Sequence, residues 1–194
     1  MRTPIGQQKL LGELPVCHVF PLSRLSLSDN VNMNIVSQEI TSSVSVRPLT
    51  VQDASSVAEL SSELGYPSSS EDLRQRLEQI SRSSDRIALG AVLNGQLVGW
   101  IDASVERHLQ SPESVVIGGL VIRDQMRGFG IGKRLCDEIE QWTRSKSIQL
   151  LRVRSQVIRE DAHRFYLREG YRQCSDVTGG YKDDSHLPGG RPPK

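Results

Sequence analysis

Long hydrophobic runs, paired cysteines and aromatic residues are all scarce in this sequence. No apolar run among its 194 residues approaches the roughly 20 that a membrane-spanning helix needs, which excludes an integral membrane protein built of such helices. The three cysteines form no C-x-x-C pair, so neither a disulfide scaffold nor a structural zinc site is expected. Asp183-Asp184 has no partners at metal-ligand spacing, so no metal is predicted. A reducing, cytoplasmic location is the resulting expectation.

Net charge is also nearly absent, since 24 Lys and Arg residues against 23 Asp and Glu residues give +1. A balance of this kind exerts no long-range attraction on nucleic acid or on an anionic membrane. A local basic cluster around Arg152 and Arg154 lacks the interleaved aromatic residues that are typical of a nucleic-acid surface. The sequence therefore predicts neither a nucleic-acid partner nor a membrane partner.

Composition divides the chain into three parts. Residues 1–43 are rich in Ser, Asn, Gln and Leu without a helical or strand period, and are predicted to be a disordered N-terminal extension, with Met33 as an alternative start. Residues 44–174 carry regular apolar patterns and are predicted to form the folded domain. Residues 175–194 collect Gly, Pro and Asp, and are predicted to be a disordered tail.

Within the predicted domain, strand patterns and helix patterns alternate. Thr50 and Asp53 form a capping box before the first helix, and Ser70 is predicted to cap the second. Asn94-Gly95 between two β-rich runs predicts a hairpin. The order β-α-α-β-β-β-α-β-α-β predicts an α/β or α+β fold, with a mixed, largely antiparallel central sheet and helices on both faces.

A glycine-rich turn from Arg127 to Lys133 joins a predicted strand to a long amphipathic helix. Glycine backbones accept positive φ, and the amides of such a turn, together with the helix N-terminus, attract phosphate or diphosphate. A Walker A loop is excluded because Arg134 stands where that loop requires Ser or Thr. The dinucleotide pattern G-x-G-x-x-G is excluded because the glycines fall at 128, 130 and 132. The pattern R/Q-x-x-G-x-G/A of coenzyme A-dependent acyltransferases fits twice, starting at Gln125 or at Arg127.

This turn is one of four segments, all in the correct order, that resemble the GNAT superfamily of N-acetyltransferases. Residues 46–54 resemble the first strand and helix cap of that family. Residues 117–122 resemble its fourth strand, whose backbone binds pantetheine. Residues 162–171 resemble its A-x-x-F-Y-x-x-x-G-[FY] segment. The resemblance covers roughly residues 44–171 and implies a sheet whose fourth and fifth strands splay apart to admit acetyl-CoA.

The implied activity is transfer of an acetyl group from acetyl-CoA, as co-substrate, to a primary amine of a small molecule or peptide in a ternary complex. The resemblance implies that the backbone N–H of Leu120 stabilises the oxyanion and that Tyr166 protonates the departing thiolate. Tyr66 and Glu113 are the residues expected to face the acceptor, with Glu113 as a candidate base. The residues expected to bind the coenzyme are Leu120, Val121, Ile122, Arg127, Gly128, Phe129, Gly130, Ile131, Gly132 and Lys133.

The sequence departs from the family pattern after Tyr171. Family members usually end with a further strand there, whereas this chain continues into its Gly- and Pro-rich tail. Gln156 also stands where the family often has Asn. Strand pairing between two subunits, common in the family, would compensate for a missing strand and give a homodimer. A non-catalytic acyl-CoA sensor and a nucleotide-binding regulator remain open as alternative functions.

Overall fold

The structure is a computed structural model that describes residues 13–19, 42–63, 65–156 and 160–173. Within these ranges, seven strands form one sheet in the order β2-β3-β4-β5-β6-β1-β7. The strands are β1 (Glu13–Val19), β2 (Ser45–Pro48), β3 (Arg86–Leu93), β4 (Gln96–His108), β5 (Ser111–Ile122), β6 (Leu150–Gln156) and β7 (Arg172–Gln173). The helices are α1 (Ala54–Glu63), α2 (Ser70–Ser81), α3 (Ile131–Ser145) and α4 (Glu160–Arg168), with 3-10 turns at Val51–Asp53 and Asp124–Met126. Within the described ranges, no helix is long and apolar enough to cross a membrane.

The predicted fold class is confirmed. Neighbouring strands pair antiparallel everywhere in this sheet except between β5 and β6, which run parallel. Helices cover both faces. On one face α3 buries Ile131, Leu135 and Ile139 in a cluster with Ile101 and Ile117 of the sheet. On the other face α1 and α2 form a second cluster with the sheet, built from Val57, Leu60, Leu73, Leu77, Ala88, Leu97 and Val121.

Strand β1 lies inside residues 1–43, for which the sequence predicts disorder. It pairs antiparallel with β6 along all seven residues, from Glu13 opposite Gln156 to Val19 opposite Leu150. It also pairs with β7. For these seven residues the prediction is wrong, because Pro15 interrupts the local strand pattern while the edge of β6, distant in sequence, supplies backbone hydrogen-bond partners. The rest of the extension and the tail from residue 175 lie outside the described residues.

Local turn and cap signals are confirmed with one correction. Asn94 and Gly95 both have positive φ, 50° and 80°, which matches the right-handed twist of the β3–β4 hairpin. The Thr50 backbone N–H donates to the Asp53 carboxylate at 2.8 Å, which completes the capping box. The cap of α2 is Ser69 and not Ser70, because the Ser69 hydroxyl accepts from the Asp72 N–H at 3.0 Å.

The splay predicted between the fourth and fifth strands of the domain lies between β5 and β6. These strands pair through only three positions, Val115 to Ile117 opposite Leu151 to Val153. Beyond Ile117 the register of β5 against β4 also shifts, because Ala103 faces Ile117 while Asp102 faces Gly119. Gly118 is therefore the extra residue of a β-bulge, and the sheet opens directly after it.

Replacing Asp53 with Asn should lower the free energy of unfolding by about 1–2 kcal/mol at pH 7. Arg47 donates two hydrogen bonds to this carboxylate, at 2.7 and 2.8 Å, and these bonds lower the Asp53 pKa to about 2. An unfolded Asp titrates near ~3.9, so this stability is present above about pH 4 and is lost as pH falls toward 2. Chemical denaturation of both proteins from pH 2 to pH 7 measures the effect.

Glu78→Gln is the matched control, since Glu78 forms an exposed pair with Arg82 at 2.6 Å on α2. Its loss should change stability by less than ~0.5 kcal/mol. Equal effects of the two substitutions on the free energy of unfolding would contradict the role given to Asp53. So would an Asp53→Asn variant whose stability falls between pH 4 and pH 2 as steeply as that of the unaltered chain.

Candidate active site

A cavity of about 460 Å³ opens where β5 separates from β6. Its walls come from α1, α2, the loop between them, the four strands β3 to β6, and α4. Three residues implied by the family resemblance line it: Leu120, Tyr166 and Tyr66. The topology thus brings together side chains that lie up to a hundred residues apart in the sequence.

Two glycines of β5 give neighbouring side chains of β4 room at the cavity. A Cβ on Gly118 would lie 2.9 Å from a carboxylate oxygen of Asp102, and a Cβ on Gly119 would lie 2.8 Å from the Trp100 ring. Real Cβ atoms do not approach other atoms so closely, so Asp102 and Trp100 take the space that side chains on β5 would need. The bulge and the glycines therefore place the Asp102 carboxyl against the β5 backbone.

Asp102 is the functional candidate that sequence reasoning missed. Burial raises the pKa of its carboxyl to about 6, while the charge of Arg86 and a backbone hydrogen bond from Gly119 act in the opposite direction. A carboxylate with this pKa is ionised at neutral pH and still accepts a proton readily, as a general base requires. The signal in the sequence is a single acid in the apolar stretch from Gln96 to Val105, where alternation alone suggests a polar surface position.

Tyr166 lies on α4 with its side chain 5% exposed. Its ring contacts those of Phe165 and Tyr171 edge-on, with centroids 5.1 and 5.2 Å away. Burial raises the pKa of the Tyr166 phenol well above its usual range. The phenol therefore stays protonated at neutral pH, and its side chain lines the cavity.

The two residues expected to face the acceptor have different placements. Tyr66 lines the cavity from the loop between α1 and α2, with half of its side chain exposed. Glu113 is not among the residues that line the cavity, and its carboxylate pairs with the Arg107 Nε at 2.5 Å. Arg107 also pairs with Asp85 at 2.6 Å, so this group of charges lies at the far end of the β4–β5 hairpin. The structure does not bring Glu113 to the other predicted residues.

The glycine-rich turn follows β5 and ends at the start of α3. Gly128 and Gly130 have φ values of 84° and 76°, which favour glycine, and Gly130 is the N-cap of α3. Arg134 makes the first bond of the helix, donating to Gly130 at 3.0 Å. Among the described residues of this turn and the first turn of α3, the backbone N–H groups of Gly128, Gly130, Ile131, Gly132 and Lys133 donate to no carbonyl of the surrounding turns and loops. These donors and the helix dipole together form a site suited to an anion.

The cationic side chains of the turn each contact an acid nearby. Arg127 pairs with Asp124 at 2.6 Å, and its Nε donates to the Ile122 carbonyl at 3.3 Å. Lys133 pairs with Asp137 at 2.7 Å, one turn further along α3. The side chains of Arg127 and Lys133 are each more than half exposed. Each cation is therefore able to turn toward an added anion at little cost in free energy.

One strand segment connects the cavity to the glycine-rich turn. Leu120 lines the cavity, and Ile122 lies 3.8 Å from where a Gly132 Cβ would be. Between them β5 pairs with β4 on one side but has no register with β6 on the other. An extended ligand with amide groups and a terminal diphosphate matches this path in shape and in hydrogen-bonding chemistry.

A thiolate nucleophile and a metal centre are two further kinds of site to consider. Cys136 is buried, and burial raises the pKa of its thiol to about 12, so it is not a thiolate nucleophile. Among the residues that the structure describes, no three His, Cys, Asp or Glu side chains cluster to hold a metal ion. Gln156, the position compared with a family Asn, has no described side chain.

Comparison with known proteins identifies a family over most of the described domain. The sequence model of the acetyltransferase (GNAT) family matches residues 54–171. The aminoalkylphosphonate N-acetyltransferase of Salmonella typhimurium is 39% identical over 84 residues, which are 43% of this chain and 54% of that protein. The chain thus spans about half the length of that relative. The aminoglycoside N(6′)-acetyltransferase type 1 of Stenotrophomonas maltophilia is 24% identical over 143 residues, 72% of this chain and 93% of that protein.

Solved structures share the fold. The aminoglycoside N-acetyltransferase AAC(6′)-Iy in complex with CoA superposes with a TM-score of 0.65 and 16% identity, over 73% of this chain and 95% of the other. At this identity the likeness concerns the fold.

The Asp102 carboxyl should titrate near pH 6, and Arg86→Gln should raise its pKa further. The substitution removes a positive charge that favours the ionised carboxylate. Carboxyl ¹³C NMR of the full chain between pH 4 and pH 9 measures both values. Arg82→Gln is the matched control, because Arg82 pairs with Glu78 outside the cavity. A pKa near ~4 for Asp102 would contradict the burial described above, and an Arg86→Gln titration identical to that of the unaltered chain would contradict the role given to Arg86.

Proposed function

The chain belongs to the acetyltransferase (GNAT) family, and we propose that it transfers the acetyl group of acetyl-CoA directly to a primary amine of a small molecule. The observation that carries the proposal is the continuous path along β5. It runs from five backbone N–H donors at the start of α3 to a cavity that holds a carboxyl and a phenol. A coenzyme with a diphosphate at one end and a thioester at the other requires both ends of such a path.

The residues of the path fit the chemical parts of acetyl-CoA. The amides from Gly128 to Lys133 would hold the diphosphate, and Arg127 and Lys133 would add positive charge. The edge of β5 from Leu120 to Ile122, which β6 leaves unpaired, would hydrogen-bond to the amides of the pantetheine arm. The thioester would then lie in the cavity between Leu120 and Tyr166.

Proton transfer begins at the acceptor. A primary ammonium has a pKa near ~10.4, so it must lose a proton before its nitrogen can attack. Asp102 takes this proton, directly or through water, because its pKa of about 6 keeps it ionised at neutral pH. The neutral nitrogen then attacks the thioester carbonyl, a C–N bond forms, and the carbonyl oxygen becomes an oxyanion.

Collapse of the oxyanion completes the transfer. The backbone N–H of Leu120 donates to the oxyanion while the charge is present. The C–S bond then breaks, and the thiolate leaves with the electron pair of that bond. Tyr166 protonates the thiolate, because its phenol is protonated at neutral pH and its side chain lines the same cavity. The nitrogen, which carries a positive charge in the intermediate, loses its second proton as the amide forms, and this proton restores the Tyr166 phenol through water. Asp102 releases the first amine proton to solvent, so one proton is released for each acetyl group transferred.

The relatives favour a small-molecule acceptor. The Salmonella typhimurium protein is named for aminoalkylphosphonates and the Stenotrophomonas maltophilia protein for aminoglycosides, both of which present primary amines. These two substrate classes differ in the sign of the charge beside the amine. We propose that this chain acts on an amine of comparable size.

The full chain, given acetyl-CoA and a panel of amines, should release CoA thiol in the presence of some acceptors and not without them. The panel contains aminoalkylphosphonates, ω-amino acids, alkylamines, polyamines, aminoglycosides and a lysine peptide. Thiol release is followed with a chromogenic thiol reagent, and the acetylated product by mass spectrometry. Binding of CoA without turnover on any acceptor would contradict the proposal and favour an acyl-CoA sensor.

The variant Asp102→Asn tests whether this turnover depends on the carboxylate in the cavity. The variant should lose about 10²–10⁴-fold in kcat/KM at pH 7, because no group of suitable pKa then accepts the amine proton. CoA affinity, measured by calorimetry, should stay close to that of the unaltered chain. Turnover that survives unchanged in Asp102→Asn would contradict the base assignment.

Tyr166→Phe should lower kcat about 10²-fold or more without a matching loss of acetyl-CoA affinity. The substitution removes the proton donor and keeps the ring packing against Phe165 and Tyr171. Tyr171→Phe is the matched control, since it removes a hydroxyl from the same cluster but does not line the cavity. An unchanged kcat in Tyr166→Phe would remove Tyr166 from the mechanism.

A further inference from the structure

The cavity is lined by more positive charges than negative ones. Among the described residues around it, three carry charge: Arg76 on α2, Arg86 at the start of β3, and Asp102 on β4. In the proposed acetyl transfer, Asp102 accepts the proton of the amine. The other two charges, on Arg76 and Arg86, have no role in the acetyl transfer itself.

Arg76 differs from two neighbouring arginines, Arg74 on α2 and Arg82 at the C-cap of that helix. Arg74 pairs with Glu71 at 3.6 Å and Arg82 pairs with Glu78 at 2.6 Å, each on an exposed surface. Arg76 lines the cavity, and among the described residues it forms no ion pair or hydrogen bond. Its guanidinium therefore offers its donors to whatever occupies the cavity mouth.

Arg86 is close enough to influence Asp102 but does not form an ion pair with it. Ala88 stands opposite Asp102 in the β3–β4 register, and Arg86 lies two residues along the same face. Its charge acts on the Asp102 pKa, yet in the part of the chain that is described no ion pair within 4.0 Å joins the two groups. The fork of N–H donors on Arg86 therefore also remains available to a ligand.

We propose that the acceptor is a small amino acid-like molecule, with a primary amine at one end and an oxyanionic group such as phosphonate or carboxylate at the other. The amine lies beside Asp102, and the oxyanion lies between Arg76 and Arg86, whose guanidinium forks match its geometry. This inference rests on the proposed acetyl transfer and deepens it.

The neutral part of the cavity fits the rest of such a molecule. Val57, Leu73, Leu77 and Ile80 give it an apolar wall on the α1–α2 side, suited to a short alkyl chain. A polycationic acceptor fits poorly, because its additional ammonium groups would meet two guanidinium groups and a single carboxylate.

The test compares acceptors that differ only in the acidic group. 4-Aminobutyrate and 3-aminopropylphosphonate are measured against butylamine and propylamine, with spermidine as the polycation, at pH 8.5, well above the Asp102 pKa of about 6. The ratio of kcat/KM between acidic and neutral acceptors should be about 100 or more for the unaltered chain. The two acids distinguish a carboxylate from a phosphonate preference.

Arg76→Gln and Arg86→Gln should each lower this ratio about 10- to 100-fold, chiefly through KM. Arg74→Gln, on the same helix but paired with Glu71, should leave the ratio unchanged. Calorimetric titration of the acidic acceptors into the CoA-bound chain gives a second readout that does not depend on turnover, and the affinities should follow the same order.

Three outcomes would overturn the inference. Equal or higher kcat/KM for butylamine or spermidine would do so while leaving the proposed acetyl transfer intact. A selectivity ratio unchanged in both Arg76→Gln and Arg86→Gln would do the same. Absence of turnover and of acceptor binding across the whole set would overturn the proposed function, and this inference with it.

Discussion

The parting of β5 from β6 after three paired positions is the constraint on which the site depends. A parallel pair at the centre of a sheet would normally continue, because each unpaired N–H and C=O group in a protein interior is costly. Here the bulge at Gly118 ends the pairing, and β5 from Leu120 to Ile122 pairs with β4 on one side while no described strand pairs with it on the other. A ligand with peptide-like amides can pair with that side of β5, so the defect in the sheet is also its binding edge.

The same bulge determines the chemistry beside it. Glycine at 118 and 119 lets the Asp102 carboxyl and the Trp100 ring lie against the β5 backbone. That burial makes the charged form of Asp102 less favourable than in water, so the folded chain loses some stability as pH rises from about 4 to 6. The domain thus gives up stability to hold a carboxyl at a pKa useful for accepting protons, as strained functional groups often require.

Local patterns in the sequence predicted most of the fold. The capping box at Thr50, the hairpin at Asn94-Gly95 and the glycine-rich turn all depend on neighbouring residues, and all are found. Strand β1 could not be predicted in this way, since its partner β6 lies more than 130 residues away and Pro15 weakens its own pattern. It occupies a place between β6 and β7, on the side of the sheet where the sequence suggested a missing strand. Asp102 was missed for a related reason, because only the cross-strand register shows that it faces Gly119 and lies in the cavity.

The most direct measurement is the effect of CoA on the backbone amide resonances of the full chain. Stepwise addition of CoA should shift the amides of Leu120 to Ile122 and of Gly128 to Lys133 together, with one affinity, because a single ligand contacts both segments. Amides on the β2 edge of the sheet, such as Val46, should not move. Shifts confined to other elements, or separate affinities for the two segments, would contradict the account of β5 as the path of the coenzyme.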